Sequence, residues 1–173
     1  MKKLLLVFLL AIFLIFPAMS NAGDTKGIDL VSVFAWGVFP AFPAAADYQP
    51  SIGISFLTET KIGESSTLGI TYTSWKLNGE NTTTDIKGNF IGIRPTFWVY
   101  PLDNDFNLYI STGAGYSQIA DGDSTGDNLG LVSGIGMMYK ITHGTHIRID
   151  CSMAKYGENE DAFDVAVGIT FKL

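Results

Sequence analysis

The stretch 163-FDVAVGITFKL-173 alternates between apolar residues and small or polar residues over its whole length. The apolar positions are Phe163, Val165, Val167, Ile169, Phe171 and Leu173. Because successive side chains of a strand point to opposite faces, the stretch predicts a strand with one fully apolar face. A soluble sheet turns such a face to a core, whereas a transmembrane barrel turns it to lipid. The alternation therefore predicts β structure and leaves the surroundings of the apolar face open.

The amino terminus has the three parts of a secretory signal peptide. Lys2 and Lys3 precede an unbroken apolar run over 4–16, and Ser20-Asn21-Ala22 supplies small residues at the two positions that a signal peptidase reads. The apolar run of about 13 residues is shorter than the roughly 20 that a spanning helix needs. We therefore expect residues 1–22 to be removed on export and residues 23–173 to form the mature barrel domain.

Composition limits the classes of function. The expected mature part keeps 9 of the 11 Lys and Arg residues against all 17 Asp and Glu, a formal charge of −8. So acidic a chain is a poor candidate for binding nucleic acid. The single cysteine, Cys151, excludes an internal disulfide framework. The 19 glycines and the aromatic share of 13% favour an all-β fold.

Seven earlier segments show a comparable alternation and bring the predicted strands to eight. They run from Ile28 to Phe39, Ser51 to Lys61, Ser66 to Lys76, Ile86 to Tyr100, Phe106 to Gln118, Leu129 to Ile141 and Thr145 to Tyr156. The connections after the first, third, fifth and seventh strands are longer than the others. An even number of tilted strands with long and short connections in turn is typical of transmembrane barrels. The sequence thus predicts an all-β, eight-stranded antiparallel up-and-down transmembrane β-barrel.

The pattern also predicts which face of each strand points outward. In the first strand, where both faces are apolar, we expect outward positions at Leu30, Phe34, Trp36 and Val38. In the other strands the inward positions are mostly Gly, Ser and Thr. Pro95 falls inside the fourth strand and forfeits a ladder hydrogen bond, so we expect a bulge or irregularity there. The segment 119–128, rich in Asp, Asn and Gly, is expected to be a surface loop.

The central strands resemble those of a known superfamily. The turn Tyr100-Pro101-Leu102-Asp103, followed by 108-LYISTGAGY-116, is similar to the central hairpin of the OmpA-like/opacity-protein superfamily of outer-membrane barrels. Gly134-Ile135-Gly136 and Tyr139 fit that family's sixth strand. The resemblance covers essentially the whole mature chain and implies an eight-stranded outer-membrane barrel without implying one biochemical activity. The last strand resembles the carboxyl-terminal strand that the barrel-assembly machinery recognises.

Six charged residues fall on inward positions of the predicted strands: Glu59, Arg94, Arg148, Asp150, Asp164 and Lys172. Eight strands enclose an interior just wide enough to be filled by side chains. Because an isolated buried ion costs several kcal/mol, we expect these charges to pair. We interpret them as a network of ion pairs that closes the lumen, and the alternative is a path for protons or ions.

No catalytic, cofactor or metal site is predicted. His146 and Asp150 share a strand face, but their separation along the strand of roughly 13 Å is beyond hydrogen-bond reach. The His and Ser two residues apart that barrel deacylases of lipid A share have no counterpart at His143 or His146. The acidic segment 121–127 departs in spacing from a helix-flanked calcium loop, so a solvated loop is expected.

The predicted function is that of a non-enzymatic integral outer-membrane barrel whose four surface loops serve an envelope structural, adhesion or surface-interaction role. The expected location is the cell outer membrane, and the expected state is a monomer without cofactors. The expected partners are outer-membrane lipid, lipopolysaccharide and the barrel-assembly machinery. The alternatives are a narrow pore for small solutes and a soluble lipocalin-like ligand-binding barrel. Lumen charges oppose the pore, small inward residues oppose the ligand cavity, and an enzyme ranks last.

Overall fold

The computed structural model describes residues 29–40, 48–79, 85–100, 102, 104–122, 124–155 and 161–173. These residues form eight long strands: β1 (Leu30–Pro40), β2 (Ser51–Gly63), β3 (Ser66–Gly79), β4 (Ile86–Trp98), β5 (Phe106–Asp121), β6 (Ser124–Thr142), β7 (Thr145–Lys155) and β8 (Asp161–Lys172). A two-residue strand, Tyr48–Gln49, pairs with the end of β3. The expected leader, residues 1–22, lies outside the described residues.

The strands close into a ring. Each strand pairs with the next one along the chain, and every pairing is antiparallel. β1 also pairs with β8 from Leu30 opposite Lys172 to Pro40 opposite Ala162. The predicted eight-stranded antiparallel up-and-down barrel is therefore confirmed. Within the described residues, no helix has the length and apolar character needed to cross a membrane.

The connections define two ends of the barrel. At the turn end, Glu64–Ser65, residues 99–105 and His143–Gly144 join consecutive strands by short links. At the opposite, loop end, three of the four predicted loops fall largely at 41–47, 80–84 and 156–160, which are outside the described residues. The fourth predicted loop, at 119–128, lies almost entirely within them.

That fourth segment corrects the prediction, because it is a hairpin and not a loop. β5 and β6 pair without interruption from Phe106 opposite Tyr139 to Asp121 opposite Ser124. β4 pairs with β5 as far as Ile86 opposite Asp121. Its polar composition suggested a loop, but the ladders supply hydrogen bonds to the backbone regardless of side-chain polarity. Gly122 has a φ of 57°, which glycine adopts without steric cost in a tight turn.

Alternation divides the strands into an exposed and a buried face. On β8, Val167 and Ile169 are about half exposed, whereas Ala166 and Thr170 are buried. The predicted facing of β2 to β8 is confirmed by the same alternation, which continues around the ring. In a closed barrel the buried face lines the lumen, so the exposed apolar face forms the outer surface.

The predicted facing of β1 is wrong. Its residues Leu30, Phe34, Trp36 and Val38 are all buried in the lumen, whereas Val33 and Phe39 are exposed. The two apolar faces gave no contrast from which to choose. Packing decides the facing, because Phe34 lies opposite Gly168 and Trp36 lies opposite Gly53. Only the inward face finds glycines on both neighbouring strands that leave room for large rings.

The irregularity predicted at Pro95 takes the form of an interrupted ladder. Between β4 and β5, paired residues include Ile93 opposite Ala114 and then Thr96 opposite Ser111, with no pairs at the two positions between them. The register is the same on both sides of this gap. On the β3 side, Pro95 pairs with Leu68 in an unbroken register. The proline thus costs contacts with one neighbouring strand without producing a bulge.

Candidate functional site in the barrel lumen

Two apolar clusters fill most of the described lumen. The cluster nearer the turn end consists of Leu30, Trp98, Leu102, Tyr109 and Met138. The larger cluster extends to the loop end and consists of Phe34, Trp36, Val38, Leu57, Trp75, Leu77, Ile86, Phe90, Ile119, Val132, Ala154, Ala162 and Ala166. Charged side chains lie among these groups and contact both clusters, so their charges are shielded from bulk water.

The first charged pair joins β7 to β2. Arg148 donates from Nη1 to Glu59 Oε2, and both side chains have no exposed surface. Thr67 donates to the second carboxylate oxygen, Glu59 Oε1, at 2.8 Å. Trp98 in turn donates from Nε1 to Thr67 Oγ1 at 3.2 Å. The carboxylate is thus held by hydrogen bonds as well as by the opposite charge, as a buried ion pair requires.

Aromatic rings surround the guanidinium of Arg148. Its Cζ atom lies 4.3 Å from the ring centroid of Tyr109, 5.1 Å from that of Trp98 and 5.6 Å from that of Phe34. A cation within about 6 Å of an aromatic face is attracted by the ring electrons. A planar guanidinium can stack on rings while donating hydrogen bonds from its edge, which an ammonium cannot do. The site is therefore built for arginine and not for lysine.

The second charged pair joins β4 to β7. Arg94 donates from Nη2 to Asp150 Oδ2 and also to Ser111 Oγ, the latter at 2.6 Å. Tyr109 donates its hydroxyl to the same Asp150 oxygen at 3.0 Å. Tyr109 therefore connects the two pairs, because its ring contacts Arg148 and its hydroxyl binds Asp150.

Two of the six predicted lumen residues lie outside these pairs. Asp164 is buried on the inward face of β8 with 2% exposure. Lys172 lies opposite Leu30 on the inward-facing series of β8, but at the turn-end rim it is exposed and not buried in the lumen. It is the last residue of β8, where a long side chain reaches water at the end of the barrel.

A small cavity remains beside the Arg94–Asp150 pair. Its volume is about 30 Å³. It is lined by Phe34, Trp36, Ser55, Thr71, Thr73, Phe90, Arg94, Val132, Asp150, Ser152, Asp164 and Ala166. A volume of roughly 10–15 Å³ holds one water molecule, so this cavity suits a few waters and not a continuous channel. Within the described ranges, no group of three His, Cys, Asp or Glu side chains converges as a metal site would require.

Alternation along the strands placed Trp98 and Tyr109 on inward positions, but sequence reasoning missed the inward rings of Phe34, Trp36 and Trp75. Four of them lie directly opposite a glycine on the neighbouring strand: Phe34 and Gly168, Trp36 and Gly53, Trp75 and Gly88, and Tyr109 and Gly136. A Cβ atom on Gly136 would lie 2.2 Å from the Tyr109 hydroxyl oxygen. Inward glycines next to a strand with an aromatic residue were the signal that could have located these rings.

The arrangement around His146 offers no catalytic pair within the described residues. His146 is buried on β7, and the Asp150 oxygen that accepts hydrogen bonds takes them from Arg94 and Tyr109. The lumen geometry therefore holds four charges in two hydrogen-bonded pairs, and aromatic rings lie against the guanidinium of Arg148.

The fold is similar to those of three solved outer-membrane proteins. Neisserial surface protein A gives a TM-score of 0.73 at 14% identity, covering 87% of this chain and 100% of that chain. Ail of Yersinia pestis gives 0.58 at 12% identity, and the N-terminal β-barrel domain of Pseudomonas aeruginosa OprF gives 0.57 at 17%, each covering 86% of this chain and 100% of that chain. The resemblance to barrels of the OmpA-like/opacity-protein type is confirmed at the level of fold.

The sequence matches no family model, and no curated protein is significantly similar to it.

Proposed function

We propose that the chain is a non-enzymatic integral outer-membrane β-barrel protein that presents its loop end at the cell surface, in an envelope structural, adhesion or surface-interaction role. The observation that carries the proposal is the exposed apolar belt around the ring. Five strands contribute aliphatic residues that are 54–76% exposed: Ile52, Ile93, Ile110, Ile135 and Val167. Soluble monomers rarely expose apolar patches larger than a few hundred Å², so a belt of this kind favours a lipid environment.

The closed ring supports the same conclusion. A backbone amide or carbonyl left unpaired in hydrocarbon costs several kcal/mol, and a closed barrel pairs these groups between strands. The ladder from β1 to β8 supplies the pairing that an open sheet would lack. An apolar outer surface without this closure would suit a soluble dimer as well, so belt and ring together favour insertion in a membrane.

The contents of the lumen support the proposal over its two alternatives. If the chain were a soluble lipocalin-like barrel, its apolar outer surface would be in contact with water. Its ligand cavity would also have to lie where the Arg148–Glu59 and Arg94–Asp150 pairs are. A pore would need a continuous water-filled bore. The described lumen instead contains two apolar clusters and a cavity of about 30 Å³. Fixed charge pairs between aromatic rings are suited to a structural role.

The β5–β6 hairpin is the described element best placed for surface contacts. β7 ends its pairing with β6 at Lys155 opposite Leu131, whereas β6 continues back to Ser124. The seven residues 124–130 carry β6 roughly 20 Å beyond its last pair with β7, at about 3.3 Å per residue. A paired hairpin presents its tip with less entropy to lose on binding than a flexible loop has. This element therefore favours contact with a partner at the loop end.

Export and assembly complete the proposal. Residues 1–22 direct secretion and are removed, and β8 engages the barrel-assembly machinery during insertion. Outer-membrane lipid and lipopolysaccharide then surround a monomeric barrel.

Gel mobility of the detergent-extracted protein tests the fold in the membrane. We expect the unboiled protein to migrate as a folded barrel in cold SDS and to shift after boiling. Identical mobility of both samples would contradict insertion as a barrel.

Cysteine labelling tests the orientation, in a background where Cys151→Ser removes the native thiol. Asp127→Cys lies on the exposed hairpin, and Asn104→Cys lies in an exposed turn at the opposite end. A membrane-impermeant maleimide should label only the first on intact cells and both after the outer membrane is opened. Labelling of the second alone on intact cells would reverse the proposed orientation.

A further inference from the structure

Two lysines lie side by side on the outer surface at the loop end of β3 and β4. Lys76 is directly opposite Lys87 in the β3–β4 register. Both positions belong to the outward-facing series of their strands. Like charges directly opposite each other on neighbouring strands destabilise a sheet. An acidic chain that places two of its few lysines in this way invites a functional explanation.

One carboxylate compensates part of this charge. Asp85 Oδ2 lies 2.7 Å from Lys76 Nζ, and Gly79 donates its backbone N–H to Asp85 Oδ1 at 3.3 Å. The hydrogen bond from Lys76 is the largest of the causes that lower the pKa of Asp85, so this carboxylate is ionised at neutral pH. Lys87 makes no ion pair within the described part of the chain. The cluster therefore keeps one net positive charge.

We propose that Lys76 and Lys87 bind the phosphate group of an anionic lipid in the outer leaflet, an inference that rests on the proposed membrane location. Phosphate oxygens are acceptors that lysine ammonium groups bind as point charges. An anion between the two lysines removes the repulsion that their register creates. The lysines are also accessible, because Lys87 is exposed and Lys76 is 43% exposed.

The next pair of residues toward the turn end adds neutral polar groups. Ser74 lies opposite Asn89, one outward position below the two lysines. Tyr72 donates its hydroxyl to Asn89 Oδ1 at 3.0 Å, which fixes the amide so that its Nδ2 group is the remaining donor. A hydroxyl, an amide and two ammonium groups thus form one patch of donors, which we name the phosphate patch (Ser74, Lys76, Lys87 and Asn89).

The surface below the phosphate patch is apolar. Tyr72 lies opposite Ile91, and Ile70 lies opposite Ile93 with 51% and 58% exposure. An acyl chain can lie along these residues while its headgroup phosphate reaches the lysines. The order of charged, polar and apolar pairs along two strands matches the order of headgroup, interface and hydrocarbon in a lipid. This order favours a lipid phosphate over a free anion.

Titration with lipid A tests the proposal. The wild-type barrel is inserted in phosphatidylcholine nanodiscs, and bis-phosphorylated lipid A is added while native mass spectrometry counts the lipid retained. We expect Lys76→Gln/Lys87→Gln to weaken binding roughly tenfold, because each lysine near an anionic headgroup contributes to affinity. The matched control is Lys140→Gln, which removes a lysine paired with Asp105 at the turn end and should leave binding unchanged. Equal retention of lipid A by the double variant would overturn the assignment.

Further measurements test separately the role of the lysine charges and the source of the bound phosphate. Asp85→Asn removes the nearby negative charge and should tighten lipid A binding, so weaker or unchanged binding would contradict a role of the lysines in holding phosphate. Dephosphorylated lipid A should bind the wild type as weakly as it binds the double variant. Full competition by inorganic phosphate would assign the patch to a free anion and overturn the lipid assignment. A wild type that fails to insert at all would contradict the proposed function, whereas insertion without lipid A selectivity would contradict only the patch.

Discussion

Arg148 shows how one residue can organise the interior of a small barrel. Its guanidinium has no exposed surface, pairs with Glu59 and lies against three aromatic rings. Burial of an unpaired charge costs far more than burial of a pair, so arginine and carboxylate depend on each other. The rings in turn are held in place by the cation between them. The arginine, the carboxylate and the rings therefore stabilise one another in the buried lumen.

Truncation of Arg148 should accordingly be severe. We expect Arg148→Ala to lower the free energy of unfolding by about 3–5 kcal/mol, because Glu59 is left buried without its opposite charge. The measurement is urea unfolding of the folded barrel in detergent. Lys76→Ala, at a half-exposed ion pair, is the control and should change stability little. Arg148→Lys should be destabilising as well, since an ammonium cannot stack between rings, and full stability of that variant would contradict the role of the planar guanidinium.

Glycines opposite inward rings should not accept a methyl group. A Cβ on Gly136 would lie 2.2 Å from the Tyr109 hydroxyl oxygen and 2.4 Å from the carbonyl oxygen of Ile149. We expect Gly136→Ala to lower the free energy of unfolding by about 1–3 kcal/mol, as overpacking of a tight interior does. The control is Gly126→Ala on the exposed hairpin, where the nearest atom would be 3.7 Å away. Equal stability of the two variants would show that the ring is free to move aside.

At the scale of single strands, the success of sequence reasoning depended on contrast between the two faces. β8 has one apolar face and one of small or polar residues, so its facing followed from alternation alone. β1 has no such contrast, and its facing is decided by the fit of Phe34 and Trp36 against glycines of other strands. The β5–β6 hairpin was missed for another reason, because Asp and Gly are typical of loops while its backbone is paired by neighbouring strands.

The outer face of β8 gives a test of the surrounding solvent. Val167 lies in the middle of the strand and is 54% exposed. Arg at the bilayer midplane of such a barrel costs about 2–4 kcal/mol, so Val167→Arg should lower the yield of folded barrel in phospholipid vesicles. Thr125→Arg, on the exposed hairpin beyond the belt, should fold like the wild type. If both variants fold equally well, the belt does not contact hydrocarbon and the soluble alternative gains support.

At the scale of the whole molecule, the candidate site was predictable in its composition and not in its pairing. Inward parity placed Glu59, Arg94, Arg148 and Asp150 in one lumen, because alternation is a local property of each strand. Their partners depend on how far each strand is shifted along the barrel, which no single strand encodes. Arg148 and Glu59 are 89 residues apart in the chain. One of the three rings around Arg148, Phe34, lies on β1, whose facing was predicted wrongly.

The closed lumen gives the last prediction. Apolar clusters occupy both halves of the described bore, and the cavity beside the Arg94–Asp150 pair has room for only a few waters. An ion crossing this region would lose its hydration in exchange for ring faces and charges that are already paired. Planar-bilayer recordings of the wild type should therefore show no steady conductance. Trp36→Ala should remain silent, because the turn-end cluster with Trp98 and Tyr109 still closes the bore. A stable porin-like current from the wild type would favour the pore alternative, whereas a current from Trp36→Ala alone would place the barrier entirely at the loop end.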